Sequence, residues 1–380
     1  MNILFVSGCE PKLNGPVSRL LYDILSACPS TQKVDFAVVG REKIDLNLPT
    51  NLDYISWSQL NTVNKSFNKI FSYGKVRRDW IINGKYHLDA SKYDVIVTYP
   101  MVPTALDYCG FQGRFEAIVV DSATMVFARA CINHSSAFMR LLSFIRLQQN
   151  SNIDKINVQK AAHLYTVGIS DAEAYNVFYN SKASFIPHTV TDDVIPYLGK
   201  VTWKQGERLK LCFAGSLSYF YTGDLYNQLI NRLANSNLQD CIEIHFLGKK
   251  FKGIGKLKKN GFCVYHTTYA ESFEEYLSQN HVFLAPLQIG GGTKNRVLSA
   301  AAVGMDVIGT SVALENIYGM SNSNVANTAD EFMIQIKARL DNHKLCHLNK
   351  YQIDDFMQYH SKQQWTDKFW NNIIEKANQL

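Results

Sequence analysis

Five consecutive residues at positions 290–294, with the sequence GGGTK, have the composition of a phosphate-binding turn. An apolar run at 282–286 precedes them, and an alanine-rich segment follows, ending at Gly304 before a second apolar run at 307–309. This order indicates a strand, a turn, a helix and a strand. Glycines let a backbone approach a bulky anion, and the start of a helix offers free N–H groups to it. The residues predicted to bind the phosphates of a nucleotide, at the carboxyl end of a strand, are Gly290, Gly291, Gly292, Thr293 and Lys294.

The ends of the helix after this turn are predicted from the same segment. Thr293 is a favourable N-cap, and Gly304 is favourable just past a helix end. Lys294 adds a full positive charge at the mouth of the turn.

Short apolar runs alternate with helix-like stretches along the chain, which predicts parallel sheets covered by helices. One series of runs ends near residue 186 and a second begins at 209, while 188–208 lacks the pattern and reads as a linker. Helices are expected over 16–27, where apolar residues recur at helical spacing, and over the last 25 residues. A chain of 380 residues is long enough for two domains. We therefore predict an α/β protein with two doubly wound domains.

The composition excludes several classes of protein. Apolar residues make up 46% of the chain and charged residues 19%, which is typical of a globular protein. The eight cysteines form no CxxC pair, so we expect reduced thiols in the cytoplasm. The N-terminus has no signal-peptide features, and no apolar run approaches the ~20 residues of a spanning helix. The first strand is not followed by GxGxxG, which argues against a dinucleotide-dependent oxidoreductase.

The formal net charge of +6 is unevenly distributed. Basic residues alternate with aromatic residues from 65 to 92, and most densely over 65–86. Such a stretch can bind an anionic membrane surface. A solvated loop and helix face is an equally good interpretation. Nucleic acid is not expected as a partner, because no known nucleic-acid-binding motif accompanies the charge.

Six segments resemble, in chain order, the GT-B glycosyltransferases, and in particular the group 1 enzymes of glycosyltransferase family 4. They are NGPVSRLLYDIL, AAHLYTVGISDAEAYN, FIPHTVTDD, LKLCFAGSLSYFYTGDL, PLQIGGGTKNRVLSAAAVGMDVIGTSVALENI and YHSKQQWTDKFWNNII. The resemblance covers nearly the whole chain. It implies two Rossmann-like domains that face each other across a cleft, with a C-terminal helix that crosses back to the N-terminal domain.

The resemblance also implies domain boundaries. The acceptor-binding domain would cover 1–190, the linker 191–208, the nucleotide-sugar (donor) domain 209–350, and the crossing helix 351–380. The first turn of the acceptor domain would present Asn14 and Gly15 on the acceptor side.

The resemblance places further donor-binding residues around the turn at 290–294. Gly215 and Ser216 follow the first strand of the donor domain, and Arg296 and Glu315 follow the turn. Arg296 lies two residues beyond Lys294, so we expect it to face elsewhere on the helix.

Two positions depart from the family pattern. The family places two acidic residues eight apart at this turn, and the second hydrogen-bonds the donor ribose. Here these positions are Gly291 and Ser299. Ser299 can still bind a hydroxyl group, but without charge assistance.

Catalytic candidates are sparse. In an inverting reaction the acceptor hydroxyl must lose its proton to a carboxylate or a histidine. Asp121, which ends an apolar run, and His188, beside the linker, are the candidates, and His134 is a weaker one. A structural role stays open for each. No acidic DxD cluster is present, so we expect no metal and no cofactor, with the nucleotide sugar as co-substrate.

The sequence thus predicts a glycosyltransferase that moves a sugar from a nucleotide-sugar donor to a glycan or lipid-linked acceptor in surface polysaccharide biosynthesis. It would be cytoplasmic, either free or peripheral on the inner face of the plasma membrane. A sugar-nucleotide 2-epimerase of the same fold is an alternative. A non-catalytic protein that kept the fold and lost the acidic pair is another, and the phosphate-binding turn at 290–294 argues against it. The retaining or inverting outcome stays open.

Overall fold

A computed structural model describes residues 2–13, 15–38, 41, 43–44, 51–55, 91–100 and 114–377. The chain divides into two compact units. The first unit comprises Met1–Phe127, Phe144–Thr189 and Ser361–Leu380, and the second comprises Ala128–Ser143 and Val190–His360. Asn14 and the basic segment at 65–86 lie outside the described residues, so their predicted roles stay predictions.

The first unit contains a seven-stranded parallel sheet in the order β3-β2-β1-β4-β5-β6-β7. Its strands are β1 (Ile3–Ser7), β2 (Val34–Val38), β3 (Leu52–Tyr54), β4 (Val95–Tyr99), β5 (Arg114–Val120), β6 (His163–Thr166) and β7 (Ala183–Phe185). The central strands β1 and β4 are buried along their whole length. Continuous burial of apolar runs is typical of parallel strands that are covered on both faces.

In the described part of this region four helices accompany the sheet, and two of them, α2 and α3, contribute residues to both units. They are α1 (Pro16–Ser26), α2 (Ala123–Asn133), α3 (Ala137–Lys160) and α4 (Ile169–Tyr179). Helix α1 lies within the predicted range of 16–27 and starts with proline at its first position. On its apolar face Leu20, Leu21, Ile24 and Leu25 are fully buried, whereas Val17 is exposed.

The C-terminal segment belongs to the first unit. Helical turns at Lys362–Trp365, Thr366–Trp370 and Asn371–Ala377 follow one another. The Trp370 indole N–H donates to the carbonyl of Ile24 at 2.9 Å, and the ring is fully buried. A buried indole with its N–H satisfied contributes a large apolar area without an unpaired donor.

The second unit contains a five-stranded parallel sheet in the order β10-β9-β8-β11-β12. Its strands are β8 (Leu209–Ala214), β9 (Ile242–Leu247), β10 (Cys263–Thr267), β11 (Val282–Ala285) and β12 (Asp306–Gly309). Its helices are α5 (Tyr219–Thr222), α6 (Leu225–Ala234), α7 (Ile254–Lys259), α8 (Phe273–Ser278), α9 (Asn295–Ala302), α10 (Ser311–Leu314), α11 (Ala329–Asn342) and α12 (Lys350–Tyr359). The predicted α/β class with two parallel sheets is confirmed.

The segment 191–208, predicted as a linker, lies within the second unit. It forms a short 3-10 helix, Asp192–Tyr197, and buries Val194 and Val201 in the core of that unit. Among the described helices, none has both the length and the apolar character that crossing a membrane requires.

Candidate functional site

The predicted glycine-rich turn connects β11 to α9 in the second unit. Helix α9 begins at Asn295, and Lys294 occupies the N-cap position without a side-chain cap bond. The prediction that Thr293 is the N-cap was therefore wrong. Gly292 has φ 58°, a left-handed conformation that reverses the chain late in the turn. The first helical carbonyl consequently comes from Lys294, which accepts the N–H groups of Val297 and Leu298.

The ammonium group of Lys294 makes three hydrogen bonds at the turn. It donates to the carbonyl oxygens of Gly291 at 3.0 Å and Gly292 at 2.9 Å, and to Glu315 Oε1 at 3.0 Å. The lysine side chain is 12% exposed. Three acceptors therefore hold the ammonium group of Lys294 at the turn.

Arg129, on α2, contacts the same turn and was not found by sequence reasoning. Its guanidinium forms a bidentate pair with Glu315, with Nη1 to Oε1 at 2.8 Å and Nη2 to Oε2 at 2.7 Å. Its Nη1 also donates to the carbonyl of Gly290 at 2.6 Å. Bidentate arginine–carboxylate pairs fix geometry as well as charge. Arg129 and Lys294 thus share the carboxylate of Glu315, and together they donate hydrogen bonds to the carbonyl oxygens of all three glycines of the turn.

Glu315 reaches the turn because of the short helix α10. Thr310 caps this helix by accepting the N–H of Ala313 at 3.0 Å, and Glu315 follows its last residue. The next residue, Asn316, is left-handed with φ 68° and donates its amide to the carbonyl of Gly292 at 3.2 Å. The segment after β12 therefore stabilises the turn through Glu315 and Asn316.

Arg296 belongs to α9, and its guanidinium lies beside Gly215, which follows β8. It supplies a third cation. A Cβ atom built on Gly215 would overlap the guanidinium of Arg296, so the arginine fills the space that a side chain at position 215 would occupy. Among the residues that the structure describes, Arg296 has no hydrogen-bond or salt-bridge partner. Arg296 was expected to face elsewhere on the helix than Lys294, and its side chain reaches Gly215, which was also predicted to bind the donor.

These side chains leave an excess of positive charge. Arg129, Lys294 and Arg296 carry three positive charges, and Glu315 is the carboxylate that offsets them. Gly215 and the 290–294 turn follow β8 and β11, which are neighbours in the sheet, so both lie at its carboxyl edge. An excess of about two positive charges at this edge is suited to a doubly charged anion.

The two predicted serines differ in their surroundings. Ser216 is exposed, beside Gly215. Ser299, on α9, donates its hydroxyl to Glu274 Oε1 at 3.3 Å. Glu274 belongs to α8 and was not found by sequence reasoning, because the contact joins two helices.

Asp121 follows a distortion at the end of β5 in the first unit. The register between β5 and β6 shifts between Ile118 and Val120, and Val120 has φ 58°. A left-handed conformation is unfavourable for a β-branched residue and often marks a functional site. Asp121 donates its N–H back to Val119 at 2.6 Å, and its side chain is exposed. The bulge thus places the carboxylate on the surface at the carboxyl edge of the first sheet.

The residues after Asp121 are held by buried carboxylates. The N–H of Ser122 donates to Asp171 Oδ1 at 2.6 Å, and the N–H of Thr124 donates to Asp154 Oδ2 at 2.9 Å. Tyr175 donates its hydroxyl to the other oxygen of Asp154 at 2.8 Å. These bonds satisfy N–H groups at the start of α2 and keep the turn rigid.

The histidine candidates are buried and neutral. Burial lowers the pKa of His188 to about 4, and its Nδ1 lies 3.0 Å from the carbonyl oxygen of Thr189. Burial also lowers the pKa of His134, whose ring stacks on Tyr219 with 5.3 Å between centroids. On the acceptor side, Gly15 is exposed and precedes α1 with φ 94°.

Solved structures with a similar architecture include glycosyltransferases. The lipopolysaccharide outer core galactosyltransferase WaaB matches with a TM-score of 0.63 at 10% identity, over 99% of this chain and 100% of that chain. Anabaena HepE, in complex with UDP and glucose, matches at 0.59 and 11%, over 100% and 99%. WaaG, a glycosyltransferase involved in lipopolysaccharide biosynthesis, matches at 0.57 and 13%, over 99% and 98%.

The chain therefore has the GT-B fold of these glycosyltransferases, and the resemblance predicted from its sequence is confirmed at the level of the fold. No protein-family model and no curated protein matches the chain by sequence.

Proposed function

We propose that this protein is a glycosyltransferase that moves a sugar from a nucleotide-sugar donor to a glycan or lipid-linked acceptor. The observation that carries the proposal is the excess positive charge at the turn 290–294, held at the carboxyl edge of the second sheet. The HepE structure, which has the same fold, contains UDP and glucose. This supports a nucleotide sugar as the donor.

The charge arrangement fits the chemistry of sugar transfer. The donor loses a nucleoside diphosphate, on which negative charge develops as the glycosidic bond breaks. Fixed cations that meet this charge lower the barrier. Lys294 and Arg296 would bind the diphosphate, while Arg129 holds Glu315 and so fixes the lysine. Because these cations can supply the required charge, we propose that the reaction needs no metal ion.

Nucleotide binding tests the donor site. Thermal unfolding is followed with UDP, GDP, CMP and TDP, because a ligand that binds the folded state raises the melting temperature. Lys294→Ala should weaken diphosphate binding by about 1.5–3 kcal/mol, the value of a hydrogen bond to a charged group. Lys337→Ala removes an exposed lysine of α11 and serves as the matched control. If no nucleotide binds, or if both variants bind alike, the site is wrongly assigned.

Asp121 is the proposed proton acceptor for the acceptor hydroxyl. Its support is geometric, since a β-bulge with a left-handed Val120 presents the carboxylate at a strand end. The neutral state of His188 and His134 permits proton acceptance, but both rings are buried, so they are weaker candidates.

Product analysis separates transfer from epimerisation. A transferase releases nucleoside diphosphate only when an acceptor is supplied, apart from slow hydrolysis. A 2-epimerase changes the sugar without any acceptor, and a non-catalytic protein does neither. Each outcome is read by chromatography of the nucleotides.

A surface on α3 supports a membrane-associated acceptor. Four large apolar side chains of this helix are exposed, and at 100° per residue they fall on one arc of about 120°. They are Phe138, Leu141, Phe144 and Ile145. Exposed Arg140 and Arg146 lie on the two sides of this arc. An apolar face bordered by arginines is typical of helices that bind an anionic membrane surface.

Vesicle sedimentation tests this surface. Binding to vesicles with anionic lipid should fall strongly in Leu141→Ser/Phe144→Ser and stay unchanged in Val177→Ser/Phe178→Ser. The control pair is equally apolar and exposed, on α4, which has no basic residue. Equal binding of both variants would contradict the assignment.

The cellular setting is proposed on two observations. WaaB and WaaG are named for lipopolysaccharide synthesis, which supports a surface glycan as the product. The seven cysteines in the described part of the chain are free thiols, which fits the reducing cytoplasm.

A further inference from the structure

One edge of the second sheet is an open strand. β10 pairs with β9 on one side, and among the described residues no strand pairs with its other side. The opposite edge strand, β12, is covered, because Gly309 forms a bridge with Val325 and accepts the N–H of Ala326 at 2.8 Å. An open edge presents backbone donors and acceptors with which another chain can pair.

The backbone of β10 shows which residues face this edge. The carbonyl oxygen of Thr267 accepts the N–H of Gly248, which follows β9, at 2.9 Å, so the backbone of Thr267 points toward the sheet. Successive residues of a strand alternate in the direction of their backbone groups. Val264 and His266 therefore turn their N–H and C=O groups toward the open edge, while Tyr265 turns its groups toward β9.

The edge lacks the features that usually prevent pairing. Natural edge strands carry lysine, proline or inward-pointing charges. The segment 261–270, with the sequence GFCVYHTTYA, contains no proline and no charged residue of the Asp, Glu, Lys or Arg types. Its two tyrosines are accessible, with Tyr265 47% exposed and Tyr269 78% exposed. Aromatic and β-branched residues without charge favour pairing of this strand with another.

Opposite charges flank the uncharged segment. Helix α7 ends before β10 with exposed lysines in its last turn, and exposed glutamates follow β10 at the start of α8. They are Lys256, Lys258 and Lys259 before the strand, and Glu271 and Glu275 after it. The strand between the two groups is about 16 Å long, so the charges of one copy are too far apart to pair with each other. In an antiparallel pair of strands, the basic end of each copy lies beside the acidic end of the other.

We propose that β10 pairs with β10 of a second copy of this chain, antiparallel and about a two-fold axis at Tyr265. The two five-stranded sheets then form one continuous sheet. Val264 of each copy lies opposite His266 of the other, and the two residues exchange both of their backbone hydrogen bonds. The two copies of Tyr265 form a non-hydrogen-bonded pair, in which the side chains approach most closely.

This register satisfies both the backbone and the charges. Lys259 and Glu271 are each six residues from Tyr265, so an axis at Tyr265 brings them together between copies. The ring of Tyr265 stacks on His245 of β9, with 4.7 Å between the centroids, and is therefore held for an aromatic pair across the axis. The paired strands are short and bury a small area, so we expect a weak dimer with a dissociation constant on the order of 10 µM.

Sedimentation velocity of the full chain tests the proposal. The wild type should change from monomer to dimer between about 1 and 100 µM. Tyr265→Lys places two like charges opposite each other at the axis and should raise the dissociation constant by about tenfold or more. Tyr351, which is 81% exposed on α12, provides the matched control. Tyr351→Lys makes the same change away from the edge and should dimerise like the wild type.

Charge exchange identifies the antiparallel arrangement. In Lys259→Glu and in Glu271→Lys, like charges meet at both ends of the paired strands. Each variant should therefore dimerise about fivefold or more weakly at low salt. An equimolar mixture of the two variants should form heterodimers about as strongly as the wild type, because each acidic end then meets a basic end. The mixture carries the test if Tyr265→Lys does not fold.

Each outcome decides the question. If the wild type stays monomeric up to about 100 µM, or if folded Tyr265→Lys dimerises like the wild type, β10 is not the interface. If the mixture dimerises no more strongly than its two components, the antiparallel arrangement is wrong. These measurements use no nucleotide, so their result is independent of the proposed donor site.

Discussion

Gly215→Ala tests whether Arg296 belongs to the diphosphate site. Gly215 has φ 90°, and an added Cβ would overlap the guanidinium of Arg296. The left-handed backbone costs an alanine about 1–2 kcal/mol of folding free energy. Because Arg296 has no hydrogen-bond or salt-bridge partner among the described residues, displacing it should add little to this cost. The displaced guanidinium can no longer reach the phosphates, so diphosphate affinity should fall by about 1.5–3 kcal/mol.

A double-mutant cycle isolates the effect. Arg296→Ala should lower diphosphate affinity by a similar amount and leave stability nearly unchanged. Gly215→Ala/Arg296→Ala should bind no more weakly than Arg296→Ala alone, because both changes remove the same contact. Affinity is measured by titration calorimetry with UDP or whichever diphosphate binds best, and stability by urea unfolding.

Gly206→Ala is the matched control. Gly206 has φ 84°, close to that of Gly215, but no atom lies within 4 Å of a Cβ built there. It should lose about 1–2 kcal/mol of stability and no affinity. Arg296 does not belong to the diphosphate site if Gly215→Ala binds diphosphate like the wild type, or if its affinity loss adds to that of Arg296→Ala.

Three further predictions concern pH, catalysis and metal ions. Burial lowers the pKa of His281 to about 4, and its Nδ1 accepts the N–H of Lys210 at 3.0 Å. In the unfolded chain the pKa of this histidine is near 6.5, so as the pH falls the unfolded state binds the proton before the folded state does. The free energy of unfolding should therefore fall by about 3 kcal/mol between pH 6.5 and pH 4. In His281→Asn, stability measured by urea unfolding should fall less between pH 6.5 and pH 4, and an unchanged fall in this variant would count against the assignment. Asp121→Asn should slow sugar transfer by about 100-fold or more at unchanged diphosphate affinity. Asp53→Asn, which removes another exposed carboxylate, is the control. If it slows transfer equally, the effect of Asp121→Asn reflects the loss of charge and not proton transfer. EDTA should leave the rate of sugar transfer unchanged. If EDTA abolishes transfer and added Mg²⁺ restores it, the reaction depends on a metal ion.

The fold was predictable because it depends on local patterns. Continuous apolar runs such as β1 and β11 indicate buried parallel strands, and the glycines before Lys294 mark the turn between strand and helix. The helix start was misplaced, because Thr293 is a better cap than lysine by type alone. Because Gly292 is left-handed, the first turn of α9 begins one residue later than predicted, with Lys294 as the N-cap. The sequence does not show which of the three glycines reverses the chain.

The partners in the site were less predictable because they come from distant parts of the chain. Arg129 is 186 residues from Glu315, and no local pattern links them. Glu274 is 25 residues from Ser299 and lies on another helix. The contact between Arg296 and Gly215 was not predictable from helical spacing, because spacing gives the direction of a Cβ atom and not the reach of a long side chain.

We propose that the turn 290–294 and its cations bind the donor diphosphate. A crystal structure of the protein with the nucleoside diphosphate that most raises its melting temperature tests this directly. We predict phosphate oxygens within hydrogen-bond distance of Lys294 Nζ and the guanidinium of Arg296. A diphosphate bound elsewhere, with Lys294 still bonded only to Gly291, Gly292 and Glu315, would contradict the claim.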